Sequence, residues 1–108
     1  MTTKIPVKSI VVNAATLNLL HTQWTEVLSS LLYAAAYFEV YNGSTTPIQV
    51  AVGPNGQEQA LPYTVMGGGT NGAVAQAIPA ASRISLKPVD TDITNGFIVI
   101  NLFTEVTQ

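Results

Sequence analysis

The chain has 108 residues, ten of them charged (9 %), no cysteine, and a net charge of −2. That length fits one domain with a modest core, and without cysteine no disulfide staples it. Four basic residues against six acidic ones build no phosphate-tracking stripe, which argues against nucleic acid. The longest apolar run, Leu31 to Phe38, is too short for a membrane-spanning helix.

In chain order, Met1 to Pro6 lacks the apolar core of a signal peptide. Lys4-Ile5-Pro6-Val7-Lys8 alternates, and Pro6, with no N–H to donate, suits a sheet edge. An N-terminal arm over about residues 1–12 is expected. Leu17, Leu20, Trp24, Val27, Leu28, Leu31 and Leu32 then recur at helical spacing. The same stretch also reads as two strands, Thr16 to His21 and Trp24 to Ser29. The surrounding strand signals tip the balance to β, with a short helix within 15–32 as the alternative.

Tyr37 to Tyr41 is aromatic and β-branched, as strands are. Pro47 to Val52 alternates and puts Ile48, Val50 and Val52 on one face. Gly53-Pro54-Asn55-Gly56 is a tight turn, with Asn55 or Gly56 in the left-handed region. Asn-Gly pairs at 42, 71 and 95 mark further turns. Arg83 to Lys87 points Ile84 and Leu86 inward and both charges outward. Phe97 to Phe103, apolar except for Asn101, reads as a central strand covered on both faces. The fold predicted is all-β: a single antiparallel β-sandwich of jelly-roll or immunoglobulin-like type spanning 1–108.

Chemistry-bearing motifs are sparse. The glycines 67 to 69 precede no helix signal, and no Lys or Arg follows until Arg83, so this is a loop rather than a phosphate cradle. His21 is the single histidine, and no nucleophile elbow accompanies it. Asp90-Thr91-Asp92 begins faintly like a calcium loop but lacks the closing glutamate. Asn42-Gly43-Ser44 fits a glycosylation pattern and is read as a turn. No catalytic residue, cofactor or metal is expected, and the protein is read as a non-enzyme. Trp24 suits a core anchor or an intersubunit anchor. Arg83 suits a solvated strand position, or a pair with Glu58 or with an acid on a neighbour.

The charge deficit is positional. Ser9 to Thr25 and Gln59 to Ser82 contain no Asp, Glu, Lys or Arg. Such stretches risk association if left exposed. They should be covered by other chains, or packed in the core more fully than a lone domain manages.

The order Phe38-Glu39-Val40-Tyr41-Asn42, Ile48 to Gly53, Gly56-Gln57-Glu58, Met66 to Gly69, Ile78-Pro79-Ala80-Ala81-Ser82-Arg83 and Gly96 to Phe103 resembles small β-rich structural proteins of tailed-bacteriophage virions. In that group a glycine stands where this chain has Ala81. The resemblance covers about residues 24 to 104 and rests on turn and strand patterns. It implies a non-enzymatic virion structural protein made in a bacterial host's cytoplasm, and leaves head or tail open. The leading expectation is a capsid decoration or cement protein on the phage head, a homo-oligomer such as a trimer, with the major capsid protein as partner. A tail, neck or fibre-anchoring component is the alternative within the class. A carbohydrate- or receptor-binding sandwich, with Tyr33, Tyr37, Tyr41 and Tyr63 as its aromatics, is the alternative outside it. Candidate assembly residues are Thr2, Lys4, Ile5, Val7 and Lys8 of the arm, Met66, Gly67, Gly68 and Gly69 of the loop, and Trp24 and Arg83.

Overall fold

The structure, a computed structural model, describes residues 2–54, 56–68 and 74–107. It contains β1 (Thr2–Asn13), β2 (Thr25–Leu28), β3 (Ala35–Asn42), β4 (Ile48–Gly53), β5 (Gln59–Val65), β6 (Val74–Ile78), β7 (Arg83–Pro88) and β8 (Phe97–Thr107). There is no helix among the described residues. β1 pairs with β8, β2 with β7, β3 with β6 and β4 with β5, all antiparallel. The chain is thus laid out as one long hairpin closed at the β4–β5 end. Two further pairings, β3 with β8 and β4 with β7, roll that hairpin over on itself. Two four-stranded sheets result, β1-β8-β3-β6 and β2-β7-β4-β5. This is the jelly-roll order, so of the two sandwich types expected from sequence the immunoglobulin-like one is excluded.

Alternation along the strands builds the core. Ile98, Ile100 and Leu102 of β8, Phe38 and Val40 of β3, Ile48 and Val50 of β4, and Ile84 and Leu86 of β7 are buried between the sheets. Each such side chain contributes roughly 1.5–3 kcal/mol by leaving water. Pro6 does sit on an edge strand, and the register of β1 slips between Pro6 and Lys8, a bulge that interrupts the free edge. The segment anticipated as an arm is β1 itself, paired with β8 from Thr2↔Thr107 to Asn13↔Phe97.

Two expectations are corrected. β8 is central, but only its inward residues are buried; Val99, Asn101 and Phe103, on the other face, stay half-exposed. The inference of cover on both faces fails because this antiparallel sheet has one face on the core and one in solvent. The second correction concerns the helix alternative within 15–32. After β1, a turn on Asn13 leads to an isolated bridge, Leu19↔Ile93, with both N–H groups bonded across it at 2.9 and 2.8 Å. Only Thr25–Leu28 then forms a strand. Leu17, Trp24 and Leu32 face outward, whereas Leu19, outside the helical spacing, is fully buried. Pairing with distant β7 and Ile93 outweighs the local 3.6-residue pattern.

The connections are fixed by polar side chains. Asn42 is fully buried at the end of β3. Its Nδ2 donates to the Thr46 carbonyl at 2.7 Å and the Val65 carbonyl at 3.1 Å. Its Oδ1 accepts from the Ser44 N–H at 3.0 Å and the Ser44 hydroxyl at 2.6 Å. The turn reading of Asn42-Gly43-Ser44 is therefore right, and the amide is used up inside the protein. Gly56 takes the expected left-handed conformation at φ 85°, and Pro54 accepts from the Gln57 N–H at 2.8 Å. Asn55 and the Asn71-Gly72 pair lie outside the described residues.

Candidate functional site

The outward face of the β1-β8-β3-β6 sheet carries side chains in rows fixed by register. Val11, Val99 and Tyr41 lie side by side, as do Ser9, Asn101 and Glu39, then Pro6, Phe103 and Tyr37, with Lys4 opposite Glu105. The central row is a polar ladder: the Ser9 hydroxyl donates to Asn101 Oδ1, and Asn101 Nδ2 donates to Glu39 Oε1 at 3.1 Å. At one end the Tyr37 hydroxyl donates to Glu105 Oε2, and Lys4 Nζ stands 4.7 Å over the Tyr37 ring. That bond to the Glu105 carboxylate, with some burial, holds the Tyr37 hydroxyl above its ordinary value of 10.0. The other end is apolar and open, with Val11 63 % and Phe97 53 % exposed and Tyr41 beside them.

A second apolar region lies at the edge of the sandwich. Val7 and Lys8 of β1, Leu28 of β2, and Leu31, Leu32 and Tyr33 of the following loop line a cleft of about 260 Å³. Leu32 is 77 % exposed, and Tyr33 is also exposed. Ile5 is largely exposed as well, although it alternates with the outward-facing Lys4 and Pro6.

The outward face of the other sheet is shaped differently. Glu26, Ser85, Ala51 and Ala60 share one row across β2, β7, β4 and β5. Small side chains there leave a groove of about 220 Å³ lined by Trp24, Ala51, Glu58, Ala60, Arg83 and Ser85. Arg83 Nε lies against Glu58 Oε1 as an ion pair, and the Arg83 beside it, with backbone N–H bonds, holds the Glu58 carboxyl below its ordinary 4.5. The contact is ionic rather than a well-aligned hydrogen bond, since the buried Nε–H has no acceptor along its axis. Lys87 Nζ stands 5.8 Å from the centre of the Trp24 ring.

These surfaces place the sequence candidates in separate regions. Thr2, Lys4, Ile5, Val7 and Lys8 are all on β1, with Val7 and Lys8 in the edge cleft. Trp24 and Arg83 come together in the groove on the opposite sheet, and Trp24 is 39 % exposed rather than a core anchor. Met66, Gly67 and Gly68 cross the loop after β3, where the Gly68 N–H donates to the Asn42 carbonyl at 2.8 Å. Gly69 lies outside the described residues. Tyr37 and Tyr41 share a face but are separated by Glu39, and Tyr33 lies away on the edge loop; the Tyr63 side chain lies outside the described residues. Sequence reading missed Leu32, Val11 and Phe97 as surface residues. Their outward direction follows from strand alternation, a signal available for Val11 and Phe97 but not for Leu32 in a loop.

His21 is exposed and tied to one carboxylate. Asp92 Oδ1 accepts from the His21 N–H at 2.9 Å and lies 2.6 Å from Nδ1. The backbone bond and then the ring bond hold Asp92 below its ordinary 3.8. The pair closes the Leu19–Ile93 bridge; no nucleophile stands with it in these contacts. Among the described residues no group of three or more His, Asp or Glu gathers in metal-binding geometry. Compared with known proteins, the chain matches no family model, and no curated protein matches it.

Proposed function

We propose that this protein is a non-enzymatic structural component of a tailed-phage virion, seated on the assembled head as a decoration or cement subunit. The observation that carries this reading is the uncharged surface. Ser9, Val11, Ala15 to Asn18 and His21 to Trp24 of the first charge-free block are exposed. Core packing takes up Ile10, Val12, Ala14 and Leu19 but not these residues, which supports a reading in which other chains cover them. Such a surface sheds water at little desolvation cost when it docks. The sequence resemblance supplies the virion setting, and the jelly roll is a fold that capsid proteins use, which is support by analogy. Several copies, in a trimer or similar ring, would bridge neighbouring major capsid subunits. The mechanism is mass action: a subunit that binds only the closed, expanded shell stabilises it against opening.

The test is to add purified protein to expanded shells that lack it. Saturable binding and a higher shell disruption temperature are expected, and Val11→Lys with Phe97→Lys should abolish both. A monomer that binds no shell and leaves heat resistance unchanged would sink the reading. Copy number in the particle separates head from tail: hundreds for decoration, a few dozen or fewer for a tail or neck part.

A further inference from the structure

We propose that the groove on the β2-β7-β4-β5 sheet is a binding site for a single hexopyranose unit of a glycan. This goes beyond shell binding and uses the opposite sheet. The groove has the parts that sugar recognition needs. Trp24 supplies an accessible aromatic surface, on which the C–H face of a pyranose packs. Across the small-residue row stand Arg83 and Glu58, a fixed guanidinium and carboxylate whose donors and acceptors match vicinal hydroxyls. A volume of about 220 Å³ accommodates one sugar ring and is below the size of drug-like pockets.

Two polar groups line the groove beside the aromatic ring. Ser85 lies on the floor at 4 % exposure. Arg83 Nε–H is buried at the wall without an aligned acceptor, and buried polar groups ordinarily find partners. A sugar hydroxyl both donates and accepts, so one ring bridging Ser85 and the Arg83–Glu58 pair serves both. The floor explains itself in the same way: Ala51 lies opposite Ser85 and Ala60 opposite Ala51 in register, and any larger side chain at either alanine would fill the space the ring occupies.

Trp24 is the only tryptophan, so its fluorescence reports on the groove without labelling. The experiment titrates the full chain with methyl glycosides of glucose, galactose, mannose and N-acetylglucosamine. The expected result is a saturable blue shift for at least one sugar, with a midpoint near the millimolar range usual for one ring (about 1 mM). Ser85→Leu and Glu58→Gln should each weaken it at least about tenfold, while Tyr41→Ala on the other sheet leaves it unchanged. Circular dichroism checks that Ser85→Leu is folded; if it is not, Ala60→Leu on the edge strand β5 fills the same floor. The proposal is overturned if no sugar gives a saturable shift, or if a folded floor-filled variant binds as well as the parent. It is equally overturned if the tryptophan shifts only with protein concentration or on adding shells, since the groove then docks protein. Shell binding by the Val11 and Phe97 surface is read separately, so either proposal can fail alone.

Discussion

The Leu31 carbonyl accepts a hydrogen bond from the Ala81 N–H at 2.7 Å, and the Leu31 N–H donates to the Ser82 carbonyl at 2.9 Å. These bonds clamp the loop after β2 onto the turn before β7. Within that clamp Ala81 is held at φ 68°, the one positive-φ residue among the described residues that is not glycine. An L-residue in this region costs roughly 1–2 kcal/mol.

Ala81→Gly should therefore stabilise the protein. Relief of that strain is offset by about 0.4–1 kcal/mol for the freer unfolded chain, leaving a gain of about 0.5–1 kcal/mol. Denaturant titration should show a higher midpoint at unchanged slope. Ala81→Val should shift the midpoint the other way, because a β-branched side chain tolerates this region worst.

Asn42 is the buried organiser of the β3–β4 connection, with four hydrogen bonds to the surrounding loop and β5. Asn42→Ala removes the side-chain donor to the Val65 carbonyl and the acceptor of the Ser44 N–H, and leaves the Thr46 carbonyl to the Ser44 hydroxyl alone. We expect a loss of about 2–4 kcal/mol. Hydrogen exchange should localise the damage to residues 43–47 and the end of β5.

Gly67 has no room for a side chain: a Cβ there would lie 2.5 Å from the Thr45 carbonyl carbon. Because the obstacle is backbone, Gly67→Ala must displace one loop from the other, at about 1–3 kcal/mol. Gly56→Ala meets no such atom but sits at φ 85°, so it should suffer conformational strain alone. Thermal melts of the two variants separate steric from torsional cost.

Acid sensitivity follows from Asp92 and Glu58. Both carboxyls are held below their ordinary values, 3.8 and 4.5, by His21 N–H and ring bonds and by Arg83 respectively. A carboxyl that binds its proton less tightly when folded stabilises the fold above its unfolded pKa. That contribution disappears as pH falls through the folded value. Stability should drop as pH falls below about 4.5 and more steeply below 3.8. Asp92→Asn and Glu58→Gln should each flatten that limb in equilibrium unfolding at a series of pH values.

Local patterns revealed strands where one residue in two faces the core. Ile84 and Leu86, and Ile48 and Val50, showed themselves because alternation is a property of the strand alone. The stretch from Ala15 to Leu32 did not, because what fixes it lies elsewhere in the chain: Ile93 opposite Leu19, and Ser85 opposite Glu26. For the same reason the pairing of Arg83 with Glu58 was legible as one of several options but not the groove around it. The groove depends on Ala51, Ala60 and Ser85 falling into one row, and that is a matter of register between three strands.

The rolled hairpin has a consequence for how the protein is made. Among the described strands only β4 and β5 are both consecutive in sequence and paired; each other pairing joins strands far apart, ending with Thr2 against Thr107. Loop closure must precede each of those contacts, so folding should be slow, on the order of milliseconds to seconds. β1 waits for β8, so a nascent chain on the ribosome holds this 12-residue strand unpaired until the other described strands of the sandwich have all been made.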